Sequence, residues 1–140
     1  MDYSEIVAEA SAETVRELAD LVVGRLPVKV LRAPAPGMVM VRHADPLDHT
    51  LFFLGEAYVL ECDVEVDGLL GYGCTLGSGA AGVGEERALC AALLDAVVGG
   101  QHPLASELAL LLEAEASRIA ARREEESRAT ASTRVSFEVR

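Results

Sequence analysis

Leu60-Glu61-Cys62-Asp63-Val64-Glu65-Val66-Asp67-Gly68-Leu69-Leu70-Gly71-Tyr72-Gly73-Cys74-Thr75-Leu76 is the stretch whose reading decides the fold. Leu60, Cys62, Val64 and Val66 alternate with Glu61, Asp63, Glu65 and Asp67. A period of two with acids on one side describes a strand buried on one face. Asp67-Gly68 is a turn signal, and the chain returns through a second strand. A two-residue loop pairs Val66 with Leu69 and Val64 with Gly71, and sets Tyr72 beside Asp63 on the acidic face. A three-residue loop pairs Val66 with Leu70, Val64 with Tyr72, Cys62 with Cys74 and Leu60 with Leu76. A one-residue slip exchanges the faces, and only the second register makes one face wholly apolar. On that criterion we adopt the three-residue loop. Cys62 and Cys74 then become cross-strand neighbours with Cβ atoms about 5 Å apart. Gly71 and Gly73 then lie opposite Glu65 and Asp63, where they strip side chains from one stripe of the sheet. Two readings of that stripe stand side by side: a twisted hairpin that needs backbone freedom, or a docking groove for a partner or ligand.

Working outward, residues 4–24 read as helix, with Ser11 as a second cap and Val15, Leu18 and Val22 at helical spacing. Pro27 ends it; Val28 to Arg32 is a short strand, and Pro34-Ala35-Pro36-Gly37 a turn. Gly37 to Val41 is apolar on both faces, a strand covered on each side, and Asp45-Pro46 breaks it. After the hairpin, a glycine-rich loop over 77–84 leads into a helix from Glu85 to Val98, the most buried one, stopped by Gly99-Gly100. A longer helix runs from about Pro103 to Glu126, a Ser/Thr/Ala linker covers 127–133, and Arg134 to Val139 reads as a terminal strand. The expected fold is α+β: one domain over 1–140, an antiparallel β-sheet with a central hairpin (about 57–76) packed against three main helices.

Composition bounds the function. The chain has 140 residues, 51% of them hydrophobic but only 4% aromatic, so Leu, Val and Ala build the core. Its net charge of -11 argues against unaided binding to nucleic acid or an anionic membrane. No apolar run approaches the ~18 residues of a membrane span, and the acidic N-terminus lacks a basic leader; the expected location is cytoplasmic. Cys62, Cys74 and Cys90 show no CxxC spacing and read as reduced thiols. Residues 118–140 carry six of the twelve basic groups, which predicts attraction between this tail and the acidic body or a partner.

Two motifs invite chemistry. Gly77-Ser78-Gly79-Ala80-Ala81-Gly82 spells GxGxxG, but no second parallel strand with an acidic end follows, so a surface loop is the preferred reading. His43, Asp45, Asp48 and His49 offer metal-ligand chemistry within seven residues, yet Asp45-Pro46 is an ordinary turn initiator, and we expect a polar loop and no metal. No GxSxG elbow or placed Cys/His pair appears, and no catalytic residue is assigned.

The order of segments is more telling than any single motif. Val30-Leu31-Arg32-Ala33 and Met38-Val39-Met40-Val41-Arg42 come first, then Phe52-Phe53-Leu54-Gly55-Glu56-Ala57. Asp67-Gly68-Leu69-Leu70-Gly71-Tyr72-Gly73, Glu86-Arg87-Ala88-Leu89, Ala92-Leu93-Leu94-Asp95-Ala96 and Thr133-Arg134-Val135-Ser136-Phe137 complete the series. Over about residues 5–138 this resembles the PhnG family of the bacterial carbon–phosphorus lyase system. The loop after Gly77 is more glycine-rich than the family's usual turn, and relatives often continue past the position of Arg140.

The resemblance implies an accessory subunit acting with PhnH-, PhnI-, PhnJ- and PhnL-type proteins. It implies transfer of an alkylphosphonate to ribose C1 of ATP with release of adenine, ATP being the substrate of the complex and no cofactor being held by this chain. The partner- or substrate-groove candidates are Arg32, Arg42, Glu56, Gly71, Tyr72 and Gly73. Arg32 and Arg42, read as matched strand ends, are the cations to test against anionic substrate. Two alternatives remain: a free-standing homo-oligomeric binding module, and a metal hydrolase built on His43 and His49.

Overall fold

Ser11 divides the N-terminal helical stretch in two. Its hydroxyl accepts the Thr14 N–H at 3.1 Å, which caps a new helix and turns the chain. In the computed structural model, which describes residues 1–77 and 82–133, α1 spans Tyr3–Glu9 and α2 Ala12–Val23. β1 (Val28–Ala44), β2 (Leu51–Val66) and β3 (Leu69–Leu76) follow as an antiparallel sheet in the order β1-β2-β3. α3 (Val83–Leu94) runs on into a π-helical turn, Asp95–Gly99, and α4 (Ala105–Ser132) ends the described chain. The α+β expectation holds. The proposed terminal strand at 134–139 and most of the GxGxxG stretch lie outside the described residues.

The register of the central hairpin is the two-residue one, and the sequence reading is corrected here. Val66 pairs with Leu69, Val64 with Gly71, Cys62 with Gly73 and Asp63 with Tyr72. The turn explains why: Asp67 (φ 48°) and Gly68 (φ 83°) both adopt positive φ, as a two-residue hairpin loop of matching twist demands. Cys62 therefore faces Gly73, while Cys74 stands on the other face, opposite Glu61. The two thiols are not cross-strand partners. Cys62 is buried and Cys74 exposed.

The glycine stripe belongs to the core face, and α3 fills it. A Cβ on Gly73 would lie 2.0 Å from the Ala88 carbonyl oxygen; one on Gly71 would lie 2.1 Å from that of Ala92. Four residues of helix rise about 6 Å and two of strand about 6.8 Å, so Ala88, Ala92 and Ala96 step along the same line as Gly73 and Gly71. The helix thus lies directly on the sheet backbone, running antiparallel to β3. The expectation that Gly71 and Gly73 open a groove to a partner is corrected: the occupant is this chain's own helix. Ala88, Cys90, Ala91, Ala92, Leu93, Leu94, Ala96 and Val97 are all buried, which makes α3 and its π turn the centre of the core.

Around α3 the core gathers Leu60, Cys62, Val64 and Val66 of β2, Ile6 and Val7 of α1, Val15, Leu18 and Val22 of α2, and Leu108, Leu112 and Ile119 of α4. Glu115 is buried among them; its Oε2 accepts from Arg118 at 3.0 Å and from the Thr14 hydroxyl at 3.4 Å, tying α4 to α2. Past Ile119 every described residue of α4 is exposed, and helix replaces the linker expected at 127–133 through Ser132. Arg122 and Arg123 both bind the Glu9 carboxylate of α1, the tail-to-body attraction that the charge distribution predicted.

β1 differs most from expectation. The two short strands and the Pro34–Gly37 turn are one continuous strand, paired with β2 through register shifts between Val30 and Arg32 and between Arg32 and Ala35. Prolines are tolerated there because β1 is an edge strand and the shifts absorb the missing N–H groups. β3 stops at Leu76, paired with Val59, so the rest of β1 and β2 runs on as a two-stranded arm. No residue from 29 to 58 is buried. The strand at Gly37–Val41, expected to be covered on each side, is exposed on both. No helix of the described residues is long and apolar enough to cross a membrane.

Candidate functional site

The sheet and the π turn enclose a cleft of about 390 Å³ lined by Leu31, Arg32, Asp63, Val64, Leu70, Gly71, Tyr72 and Asp95. Three residues singled out from sequence, Arg32, Gly71 and Tyr72, meet there. Asp95 is the residue that the sequence reading missed. It opens the π turn, a feature often found beside functional positions, and its carboxylate bridges two elements. Oδ1 accepts from the Tyr3 hydroxyl at 2.6 Å, and Oδ2 accepts from the Tyr72 backbone N–H at 2.9 Å. The hydrogen bond to Asp95, reinforced by burial and by the negative charges of Asp95 and Asp2, pushes the Tyr3 phenol up to about 12. Asp95 continues the helical line of Ala88, Ala91 and Ala92, and an acid in that run of small residues was the available signal.

The second polar group of the cleft is a ladder across the sheet. The Tyr72 hydroxyl donates to Glu61 Oε1 at 2.6 Å, and Arg32 donates from Nε to Asp63 Oδ2 at 2.6 Å and from Nη1 to Glu61 Oε2 at 3.4 Å. Hydrogen bonding to Glu61, with burial and the neighbouring Cys74, holds the Tyr72 phenol well above its ordinary range. It stays a neutral donor near pH 7. The Arg32 charge is matched by two carboxylates, in partly exposed pairs that solvent screens. The lining therefore offers a shaped, mildly acidic surface in which the Tyr72 phenol keeps its proton and the arginine is already paired. It fits contact and positioning better than proton transfer.

Arg42 and Glu56 are not part of this cleft. Both lie on the arm, where Arg42 pairs with Phe53 and Glu56 with Met40. Arg32 and Arg42 sit on one strand, about 30 Å apart at 3.3 Å per residue, so they are not matched ends and do not converge on one anion. At the arm's tip, Asp45 Oδ1 accepts from Leu47 N at 2.7 Å and from Asp48 N at 3.4 Å, and Asp48 Oδ1 accepts from Thr50 N at 2.9 Å. Hydrogen bonding from Thr50, backbone first and then side chain, holds the Asp48 carboxyl below its usual range. His43 packs edge-on against Phe52, ring centroids 5.6 Å apart. Among the described residues no three His, Cys, Asp or Glu side chains converge to hold a metal.

His102 has a structural role. Its Nδ1 accepts the Leu104 N–H at 3.1 Å, and its Nε2 lies 3.3 Å from Asp67 Oδ2, joining the hairpin turn to the start of α4.

The family model described as phosphonate metabolism protein PhnG matches residues 2–140. This chain belongs to the PhnG family. As a PhnG protein it takes part in phosphonate metabolism through the carbon–phosphorus lyase system, in a complex with other Phn subunits. No curated protein matches the chain.

Proposed function

We propose that this PhnG protein is an accessory subunit of the assembly that transfers an alkylphosphonate to ribose C1 of ATP, releasing adenine. In that reaction the bond from C1 to the base nitrogen breaks, and a phosphonate oxygen takes its place. The partners are PhnH-, PhnI- and PhnL-type proteins, with a PhnJ-type subunit acting on the product. The observation that carries this reading is the family match over essentially the whole chain. The geometry agrees with a role in assembly. The cleft's arginine is already paired, and its Tyr72 phenol is held protonated, while a triphosphate and a phosphonate need unpaired positive charge. That charge comes from the other subunits, and the acidic chain supports their arrangement.

Adenine release from ATP with methylphosphonate tests the reading, using the co-expressed partner set with and without this chain. The expected result is loss of release on omission, and no turnover by this chain alone. Equal release without it refutes the subunit role.

A further inference from the structure

The arm formed by β1 and β2 beyond β3 is built as an element that something else encloses. Directly opposed residues of an antiparallel pair share a face. Met38 with Tyr58 and Met40 with Glu56 make one face; Val39 with Ala57 and Val41 with Gly55 make the other. Both faces stand in water: Met38 is 58% exposed, Phe53 61% and Leu54 62%, and Met40, Val39, Val41, Leu51 and Phe52 are exposed as well. About ten half-exposed large apolar side chains amount to on the order of 800 Å², the area each partner gives to an interface of standard size. The edges are open too. Among the described residues β1 has no neighbour on its outer side, and the β2 residues before Tyr58 have none where β3 has ended. Exposed flat apolar strands with free edges aggregate unless they are covered.

We propose that this arm inserts into an apolar slot, rimmed by basic residues, on a different protein of the assembly, pairing one of its open edges with that protein's sheet. The inference rests on the multisubunit reading above and names the surface it uses. Three observations favour a foreign partner over a second copy. Two-fold pairing of arms through their β2 edges covers an edge and leaves both apolar faces wet. Face-to-face stacking of two arms covers only one face of each. Each copy also carries a net charge of -11, so self-association brings like charges together. Charge sets the rim chemistry: Asp45, Asp48 and Glu56 outnumber the single Arg42 on the arm, whereas Glu61 and Asp63 at its root are already paired with Arg32. Strand addition supplies backbone hydrogen bonds, and pockets for alternate side chains supply specificity.

The test co-expresses the tagged chain with its PhnH-, PhnI- and PhnL-type neighbours and measures recovery of the partners. The wild type is compared with a Met40→Thr, Phe53→Thr double variant, which keeps strand propensity, and with Leu110→Thr on the exposed side of α4. Wild type and Leu110→Thr should recover partners equally, and the arm variant at least tenfold less. Hydrogen exchange on the wild-type assembly needs no variant: amides of 38–41 and 51–57 should slow at least tenfold on assembly. Assembly with undiminished recovery by the arm variant, or with arm exchange unchanged, overturns the proposal and leaves the subunit reading standing. A wild type that recovers no partner refutes the subunit reading itself. A stable homodimer that the arm variant abolishes assigns the surface to a second copy and overturns the proposal.

Discussion

Gly73→Ala puts the packing of α3 on the sheet to a quantitative test. The added Cβ would lie 2.0 Å from the Ala88 carbonyl oxygen and 2.6 Å from the Ala92 nitrogen. Ordinary contact begins near 3.4 Å, so the helix must retreat by about 1.4 Å. The obstructing atoms are helix backbone, which no rotamer change can move aside. A gap of 0.5–1 Å already forfeits about a quarter to a half of the dispersion well for the atoms that line it. Overpacking of this kind costs roughly 1–3 kcal/mol, and the backbone obstruction places Gly73 at the upper end. Alanine recovers about 0.5–1 kcal/mol because glycine is costly inside a strand. The net loss is about 2 kcal/mol, which for a domain of this size lowers Tm by roughly 6–10 °C. Cys74→Ala, one residue along β3 on the exposed face, is the control and should change little. Thermal unfolding by circular dichroism reads both. Gly71→Ala should behave like Gly73→Ala, and the double variant should cost less than the sum because one retreat of α3 relieves both contacts. A fall of under 2 °C for Gly73→Ala would refute the close approach of helix and strand.

Further expectations concern the titrating groups. Cys74 should react with a thiol reagent at pH 8 well before Cys62 and Cys90, since burial pushes the Cys90 thiol up to about 12 and raises that of Cys62; three equal rates would contradict the burial. The sign follows for stability: the raised Cys90 value favours the fold fully below its ordinary value of 9.0, and that contribution is lost as pH rises toward about 12. Asp95→Asn leaves one acceptor where two donors converge, which should cost about 1–2 kcal/mol and return the Tyr3 phenol from about 12 toward 10.0. Absorbance at alkaline pH follows that titration, and an unchanged curve would show that the Tyr3–Asp95 bond is not formed. Arg123 and Arg122 hold the Glu9 carboxyl below its ordinary 4.5, so this link between α1 and α4 is present at neutral pH and is lost as pH falls through the lowered value. Protection factors over residues 120–126, which correct for the slower intrinsic exchange in acid, should fall in acid or in high salt, and insensitivity to both would mean that the pair holds nothing together.

The hairpin, the Ser11 cap, the burial of α3 and the tail-to-body attraction were legible because each rests on a local pattern. The hairpin register was not, because the reading ranked faces by side-chain hydrophobicity and treated Gly71 and Gly73 as blanks. On a sheet packed by a helix, a glycine is the apolar residue of shortest reach. The matching run of Ala88, Ala92 and Ala96 was the sequence's own statement of what fills that stripe. Asp67-Gly68 also favoured the two-residue turn on its own. The same preference for covered apolar residues made Gly37–Val41 look buried. Nothing local in the sequence separates a strand covered by its own chain from one awaiting a partner. Arg32, Gly71 and Tyr72 reached one cleft because the hairpin and β1 place them there. Asp95 went unseen because its role depends on contacts with Tyr3 and Tyr72, 92 and 23 residues away.

The central claim is that this chain completes an assembly whose reaction it does not itself catalyse. Titrating the purified chain into a fixed amount of the PhnH-, PhnI- and PhnL-type proteins, with ATP and methylphosphonate, tests it most directly through the rate of adenine release. The account predicts a rate that climbs with added chain, breaks at a fixed molar ratio to the partners and then stays flat. A rate that is full before any chain is added, or one that keeps rising in proportion without a break, would contradict it.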